Sequence, residues 1–296
     1  MVKKLKILIG VLIIVLASGC QEDTKVDSRI IQSAEKDICP LFSRLTGDYW
    51  QIWSISSDGT DMKQLTDSIG DKRYPCTASD NADLVYYVTT DSRLVRFNTK
   101  DGSFKEVLKQ DGLNLGVCVS PDSRLLFSRL ILLDDLTSIW VGDLNGSGRF
   151  IKEKGTQMFP TWMPDGEHII YTSGIKFYGQ SLCMINSNGS NKKVLLEDNY
   201  HKMTPSVSPN GKYIAYSSNK SGNYDIWLFD MDSNKETQLT TSLAYDTSPG
   251  WSADSKSIIF SSNRNSSLQL WKMNKSGKGL KQLTFGQSST DPFWSN

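Results

Sequence analysis

Histidine and paired cysteines are nearly absent from this chain. Its 296 residues include two histidines, His168 and His201, and five cysteines, none of which belongs to a CxxC pair. Zinc sites and thioredoxin-like redox centres require such clusters, so the sequence supports neither class of protein. Apart from Cys20, the cysteines could form a disulfide or remain buried thiols, and the sequence does not choose between these states for Cys39, Cys76, Cys118 and Cys183.

An excess of charge of either sign is also lacking, since 33 basic residues are balanced by 32 acidic residues. This balance argues against nucleic acid or an anionic membrane surface as a partner. The sequence contains no GxSxG elbow of a hydrolase, no glycine-rich phosphate loop and no EF-hand ladder of aspartates. We therefore predict no cofactor.

The long hydrophobic run lies at the N-terminus, in the segment MVKKLKILIGVLIIVLASGC. Its lysines, apolar run and small residues before Cys20 are typical of a secretory signal, which does not belong to the fold. The stretch from Leu16 to Cys20, LASGC, resembles a bacterial lipobox. The resemblance implies that residues 1–19 are removed, that Cys20 carries a lipid and that residues 20–37 form a polar tether. The alternative is an ordinary secretory signal or an uncleaved anchor. Gln21, in place of an aspartate after the lipidated cysteine, favours the outer membrane.

An internal repeat of 42–45 residues dominates the rest of the chain. Two neighbouring copies read PSVSPNGKYIAYSSNKSGNYDIWLFDMDSNKETQLTT and PGWSADSKSIIFSSNRNSSLQLWKMNKSGKGLKQLTF. Three columns agree on the period, namely an SPNG-like step, an IW-like step and a QLT-like step. The IW-like step falls at Ile52, Val95, Ile139, Leu182, Ile226 and Leu270.

Each copy has the pattern of four short strands joined by tight turns. Runs rich in β-branched and aromatic residues, such as KYIAYSS and DIWLFD, alternate with polar loops, and the Asx-Gly pairs between them favour hairpins. Four strands in such a unit are typical of a β-propeller blade. The sequence therefore predicts an all-β fold, a six-bladed β-propeller with four-stranded antiparallel blades.

The three steps resemble the WD-like repeat of the TolB-type β-propeller family, whose blades carry a WSPDG step, an IW or IY step and an LT step. The resemblance covers about residues 38–296. It implies the propeller fold and a TolB-like binding role in the cell envelope. The Gly-His and Trp-Asp dipeptides of true WD repeats are missing, and the segment between Cys20 and the first repeat is too short for the α/β domain that precedes the propeller in TolB.

The first copy of the repeat, ICPLFSRLTGDYWQIWSISSDGTDMKQLT, lacks the Pro-x-Trp strand that opens later copies. The last residues, DPFWSN, contain this strand. We therefore expect the C-terminal strand to pair with the strand around Phe42 and to close the ring at six blades. Closure removes the open sheet edges that promote aggregation.

Most tryptophans recur in two columns and are predicted to pack within the blades. Residues that recur in register serve the packing of each blade, because large aromatic side chains dominate core burial. The two columns contain Trp53, Trp140, Trp227 and Trp271, and Trp162, Trp251 and Trp294. Trp50 lies outside both columns and is a candidate for contact with a partner.

The loops that lead into the first strand of each blade form the predicted ligand site. They reach toward the mouth of the central channel, where His201 and its equivalents from several blades would converge. A solvated polar rim explains the same residues, and both interpretations stay open. The candidate residues are Asp71, Lys72, Arg73, Asn114, Gln157, His201, Lys202, Asp246 and Asp291.

Two loops between second and third strands depart from the repeat and form the predicted partner patch. The loop in RLILLDDLTS is longer than its equivalents, and the next blade carries SGIKFYGQS. Exposed apolar residues on adjacent blades favour a contact surface, although the same side chains could fold back onto their own blades. The patch residues are Leu130, Ile131, Leu132, Phe177 and Tyr178, together with Trp50.

These features favour a non-catalytic, lipid-anchored envelope propeller that binds a protein, peptide or glycan as a monomer. The alternative is a propeller enzyme similar to the oligogalacturonate lyases or lactonases, which would act on a carbohydrate-like substrate with His201 and nearby carboxylates. Those lyases depend on several histidines around a metal, and two histidines on different elements do not form such a cluster. We therefore predict neither a metal site nor catalytic residues.

Overall fold

The computed structural model describes residues 39–78, 81–109, 113–131, 136–151, 155–174 and 180–294, and of Ile131 and Leu136 the backbone alone. These residues form 24 strands, which pair into six four-stranded antiparallel sheets. The sheets are the blades of a β-propeller, so the predicted fold and the predicted number of blades are confirmed. Among the described residues, no helix is long and apolar enough to span a membrane.

The first three blades are formed as follows. Blade 1 contains β1 (Leu41–Thr46), β2 (Tyr49–Ile55), β3 (Met62–Gln64) and β24 (Ser289–Phe293). Blade 2 contains β4 (Lys72–Ala78), β5 (Asn81–Thr89), β6 (Arg93–Asn98) and β7 (Phe104–Lys109). Blade 3 contains β8 (Leu113–Val119), β9 (Arg124–Ile131), β10 (Leu136–Asp143) and β11 (Gly148–Ile151).

The other three blades repeat this order of strands. Blade 4 contains β12 (Thr156–Trp162), β13 (His168–Gly174), β14 (Gln180–Asn186) and β15 (Lys193–Leu196). Blade 5 contains β16 (Lys202–Val207), β17 (Tyr213–Ser218), β18 (Asp225–Asp230) and β19 (Lys235–Gln238). Blade 6 contains β20 (Asp246–Trp251), β21 (Ser257–Asn265), β22 (Ser267–Asn274) and β23 (Lys281–Gln282).

One edge strand of every blade faces a common axis, because residues of β4, β8, β12, β16, β20 and β24 line a single cavity. We call these six the inner strands. A linker leads from the last strand of one blade into the inner strand of the next, at what we call the linker end of the axis. The turns that follow the inner strands lie at the opposite end, which we call the turn end.

The ring closes through the pairing of β24 with β1. Arg44 lies opposite Ser289 in this antiparallel ladder, and its guanidinium donates a hydrogen bond to Ser289 Oγ at 3.0 Å. Phe42 and Trp294 are buried in one cluster with residues of blade 6. The predicted closure of the ring by the C-terminal strand is therefore confirmed.

A fully buried aromatic ring in the second strand of each blade forms the core between the blades. All six rings are 0% exposed, and in four blades the ring lies opposite a tryptophan of the IW-like column. In blade 3, Phe127 stacks on Trp140 with ring centroids 4.9 Å apart. The six rings belong to Phe42, Tyr86, Phe127, Tyr171, Tyr216 and Phe260.

Both tryptophan columns belong to these cores, as predicted. Four of their members are buried, namely Trp140, Trp162, Trp251 and Trp294. The other three pack against buried clusters, namely Trp53, Trp227 and Trp271.

The QLT-like step attaches the last strand of a blade through side-chain hydrogen bonds. In blade 1 the side-chain amide of Gln64 donates to the carbonyl of Thr66 at 2.7 Å. Thr66 Oγ1 accepts from the backbone N–H of Ile52 at 2.9 Å and donates to Gln51 Oε1 at 2.8 Å. Blades 5 and 6 contain the same arrangement. The step recurs because it satisfies backbone groups where regular pairing ends.

Replacement of one core ring tests this account of packing. Phe260→Ala removes a fully buried ring and is expected to lower the free energy of unfolding by roughly 3–5 kcal/mol. Phe104→Ala serves as the control, since Phe104 is 77% exposed, and its effect should stay within about 0.5 kcal/mol. Urea unfolding monitored by tryptophan fluorescence measures both changes. Equal losses in the two variants would contradict the assignment of the core.

Candidate functional site in the axial channel

Every inner strand carries a β-bulge at the same position. The bulge residue has a positive φ of 48–59°, and the pairing register with the second strand shifts there. In five of the six strands a proline follows, as in Tyr74-Pro75, although a residue before proline normally stays in the extended region. The six bulge residues, which we call the bulge ring, are Tyr74, Gly116, Phe159, Thr204, Ser248 and Asp291.

The bulge ring surrounds a cavity on the axis. A bulge changes the direction of a side chain and interrupts regular pairing, and all six bulge residues line a cavity of ≈ 220 Å³. The prolines after the bulges line it as well, and Trp162, Trp251 and Trp294 extend the wall toward the turn end. The cavity is therefore built from the same position of all six blades.

The bulge ring divides the cavity into an apolar wall and a polar wall. Tyr74, Gly116 and Phe159 come from the consecutive blades 2, 3 and 4. A Cβ placed on Gly116 would meet no atom within 4 Å, so an open slot lies between the two blades that carry the aromatic side chains. The remaining three blades contribute two hydroxyls and one carboxylate, from Thr204, Ser248 and Asp291.

Among the described residues that line the cavity, Asp291 is the one with a charged side chain. It is 7% exposed; its Oδ2 accepts a hydrogen bond from Arg73 Nε at 2.6 Å, and its Oδ1 accepts one from Thr290 Oγ1 at 3.3 Å. The Arg73 guanidinium also lies over the ring of Trp50, 4.6 Å from its centroid.

Burial, followed by the negative charge of Asp291, raises the pKa of Tyr74 to about 12. The phenol of Tyr74 is therefore neutral at physiological pH.

Five of the nine residues predicted for the ligand site are buried at the linker end. Lys72 Nζ donates to the carbonyls of Ser68 and Gly70 at 2.7 Å. Lys202 Nζ forms an ion pair with Asp198. Both lysines thus hold the linker that precedes their own strand. The five residues, at most 5% exposed, are Lys72, Asn114, Gln157, Lys202 and Asp246.

The buried Asp246 and Asn114 make similar internal contacts. Asp246 Oδ2 pairs with the guanidinium of Arg264 at 2.8 Å. Asn114 Nδ2 donates to the carbonyl of Ser92 at 3.0 Å. Side chains at the start of the inner strands therefore make contacts within the propeller.

The four remaining predicted residues are Asp71, Arg73, His201 and Asp291. Asp71 Oδ1 accepts a hydrogen bond from the backbone N–H of Trp50 at 2.9 Å. His201 is half-buried, and its Nδ1 lies 3.3 Å from the hydroxyl of Tyr224. Of the nine, Asp291 is the residue that lines the cavity. A ligand site at the linker end stays a prediction.

Apart from Asp291, sequence analysis missed the bulge ring, although a signal for it is present. An x-Pro pair recurs at the same position of the repeat, for example as Phe159-Pro160 and Ser248-Pro249. Proline inside a sheet is confined to edge strands and bulges. A proline that recurs in register therefore indicates a bulged inner edge in each blade.

The predicted partner patch is described only in part. Trp50 is half-buried under the guanidinium of Arg73, and Leu130 is half-buried near the end of β9. The other positions lie outside the described residues, namely the side chain of Ile131, Leu132, Phe177, Tyr178 and the predicted lipidation site Cys20.

Large apolar side chains are exposed on four linkers. Leu243 is 100% exposed, Ile69 86%, Phe285 66% and Tyr200 41%. All four lie at the linker end, and we call them together the apolar linker ring. The linkers that lead out of blades 2 and 3 include residues outside the described ranges.

The fold and the repeat define a β-propeller with six blades. Residues 158–296 match the family described as the TolB beta propeller domain. The resemblance seen in the sequence is thereby confirmed. No curated protein sequence matches the chain.

Solved structures share this architecture at low sequence identity. TolB from Acinetobacter baumannii is 18% identical and superposes with a TM-score of 0.78, covering 91% of this chain and 71% of its own. A protein described as TolB from Agrobacterium tumefaciens is 17% identical, with a TM-score of 0.72 over 84% of this chain and 91% of its own. Oligogalacturonate lyase from Vibrio parahaemolyticus is 13% identical, with a TM-score of 0.60 over 83% of this chain and 74% of its own. These similarities establish the fold.

The Arg73–Asp291 pair is expected to contribute more to stability than an exposed ion pair. Asp291→Ala leaves a largely enclosed guanidinium without its partner and should cost about 2 kcal/mol. Lys100→Ala breaks the exposed pair with Asp83 and should cost less than about 1 kcal/mol. Urea unfolding of the two variants measures the difference. A cost for Asp291→Ala no larger than that for Lys100→Ala would contradict a structural role of the pair.

Proposed function

We propose that this protein is a non-catalytic binding protein of the bacterial cell envelope, whose linker end docks a partner protein. The observation that carries the proposal is the apolar linker ring. Single exposed apolar residues are common on protein surfaces. Four large ones on equivalent segments around one axis instead resemble an interaction surface.

Leu130, the described residue of the predicted partner patch on β9, lies at the same end of the propeller. The inner strands β8 and β12 run from the linker end to the turn end, so the antiparallel strands β9 and β13 return to the linker end. Leu130 lies near this end of β9 and is half-buried. Leu130 and the apolar linker ring would therefore contact one partner together.

A protein fits this surface better than a small molecule does. Stable protein interfaces bury about 800 Å² on each partner, and their fully buried centres are apolar and aromatic. The apolar linker ring spans linkers of several blades and consists of aliphatic and aromatic side chains. A single sugar or a short ligand would contact one or two of these linkers at most.

The N-terminal segment supports an envelope location for this partner. The secretory signal and the lipobox-like LASGC favour attachment through a lipid on Cys20, and Gln21 favours the outer membrane. The fold shared with TolB is compatible with this role. The fold alone does not select it, because proteins of different function share one architecture.

The alternative is an enzyme similar to the oligogalacturonate lyases, which share the propeller. One such structure is described as a complex with manganese. Within the described part of this chain, no group of three or more His, Cys, Asp or Glu side chains is placed to hold a metal ion. The apolar linker ring lies among the described residues, and we therefore base the proposal on it.

Paired variants test the docking surface. Ile69→Ser with Leu243→Ser removes half of the apolar linker ring, and Met62→Ser with Phe104→Ser is the control on the last strands of blades 1 and 2. Immobilised wild-type protein should capture an envelope protein from solubilised membranes. The control should capture the same protein, whereas the linker variant should capture at least about tenfold less, since hot-spot residues carry most binding energy.

Two results would contradict the proposed function. The first is equal capture by the wild type and the linker variant, or no captured envelope protein at all. The second is a stoichiometric, tightly held metal that is lost on His201→Ala together with turnover of an oligogalacturonate, which would favour the enzyme.

A further inference from the structure

The cavity at the bulge ring is apolar on one side and acidic on the other. From this arrangement we propose that the axial channel binds a small amphipathic amine, a molecule with an apolar body and one ammonium group. The body would occupy the slot over Gly116, between the blades of Tyr74 and Phe159, and the ammonium group would bind the carboxylate of Asp291. This site lies inside the channel and is independent of the apolar linker ring.

The carboxylate of Asp291 retains capacity for a further donor. An ionised carboxylate offers about four acceptor positions, and two of them are used. One accepts from Arg73 Nε, and the other accepts the long bond of 3.3 Å from Thr290 Oγ1. Arg73 itself is absent from the cavity wall, whereas Asp291 lines it. A donor inside the cavity would therefore meet an acidic group, with the arginine behind it.

A cation suits this cavity better than a neutral or an anionic group. Hydrogen bonds between an ammonium group and a carboxylate are roughly twice as strong as neutral ones, and the faces of aromatic rings also attract cations. Tyr74 and Phe159 supply two rings to the wall, of which Tyr74 already has the Arg73 guanidinium 5.4 Å from its centroid. Thr204 and Ser248 supply hydroxyls on the polar wall. An anion would meet the acceptor oxygens of Asp291, because Arg73 lies behind them and is absent from the cavity wall.

The size of the cavity restricts the ligand to a small molecule. Its volume of ≈ 220 Å³ is below the range of roughly 300–1,000 Å³ that is usual for ligand pockets. Prolines and tryptophans form much of the remaining wall, so the body of the ligand meets apolar surface. These limits favour one ring or a short aliphatic chain over a sugar polymer.

Gly116 defines the slot in which the apolar body would lie. The other five members of the bulge ring carry side chains, while a Cβ on Gly116 would meet open space. Its φ of +59° lies in the left-handed region that asparagine tolerates better than most residues. Gly116→Asn can therefore fill the slot at a small cost in backbone strain.

The test uses purified, full-length protein and three probes that differ in one group. These are 2-phenylethylamine, 2-phenylethanol and phenylacetate, which share the ring and differ in charge. Isothermal titration calorimetry should give an affinity for the amine at least about tenfold above that for the alcohol. Phenylacetate should not bind.

Three variants separate the two halves of the site. Asp291→Asn should lower the affinity for the amine about tenfold, to the level of the alcohol. Gly116→Asn should abolish binding of both probes because it occupies the slot. Asp254→Asn, at an exposed position of a turn, should bind as the wild type does. Circular dichroism verifies that each variant is folded. If Asp291→Asn fails to fold, the binding measured with Gly116→Asn tests the proposed site.

Failure of the amine to bind the wild type, or equal affinities for the amine and the alcohol, would overturn the proposal. So would unchanged binding in folded Asp291→Asn or Gly116→Asn. None of these results depends on capture of an envelope protein, so the failure of this site and the failure of the docking surface are distinguishable.

Discussion

The pairing of β24 with β1 is the interaction on which the remainder of the structure depends. It joins segments some 245 residues apart in sequence and makes blade 1 equivalent to the other five. Without it, β1 would present an open edge and blades 6 and 1 would lose the shared cluster of Phe42 and Trp294. Exposed sheet edges are templates for aggregation, so closure protects the fold as well as completing it.

Closure of the ring also brings together the side chains that line the channel. Six inner strands converge on one axis, and the bulge in each strand places one residue of each blade on the wall of the cavity. The repeat makes this position equivalent in geometry but leaves its side chain variable. The ring consequently contains two aromatic residues, two hydroxyls, one carboxylate and one glycine. The chemical differences along the cavity wall therefore come from side chains that differ among repeats of equivalent backbone geometry.

The architecture could be predicted from the sequence because the same sequence steps recur in every copy of the repeat. The IW-like and QLT-like steps recur six times, and both have a packing or hydrogen-bonding reason that operates within one blade. The missing Pro-x-Trp strand of the first copy and its presence after Asp291 were sufficient to predict closure. Local patterns thus predicted the strands of each blade, and the number of copies of the repeat predicted the number of blades in the ring.

The site was less predictable, because its geometry depends on where a side chain points. Lys202 and Asp246 are polar residues on segments near the axis, and their internal partners Asp198 and Arg264 could not be assigned from spacing. The bulge at Tyr74 reverses the usual expectation for a residue before proline. Reading the x-Pro column as a structural element would have identified the ring, but not the open slot over Gly116.

Thermal unfolding of a chain that ends at Ser288 tests the central claim most directly. Lacking β24, this chain is predicted to lose the single cooperative transition of the full-length protein and to regain it when the peptide STDPFWSN is added in excess. A chain that ends at Trp294 is the control and should unfold as the full-length protein does. The account would be contradicted if the chain ending at Ser288 unfolded with the same cooperativity and midpoint as the control.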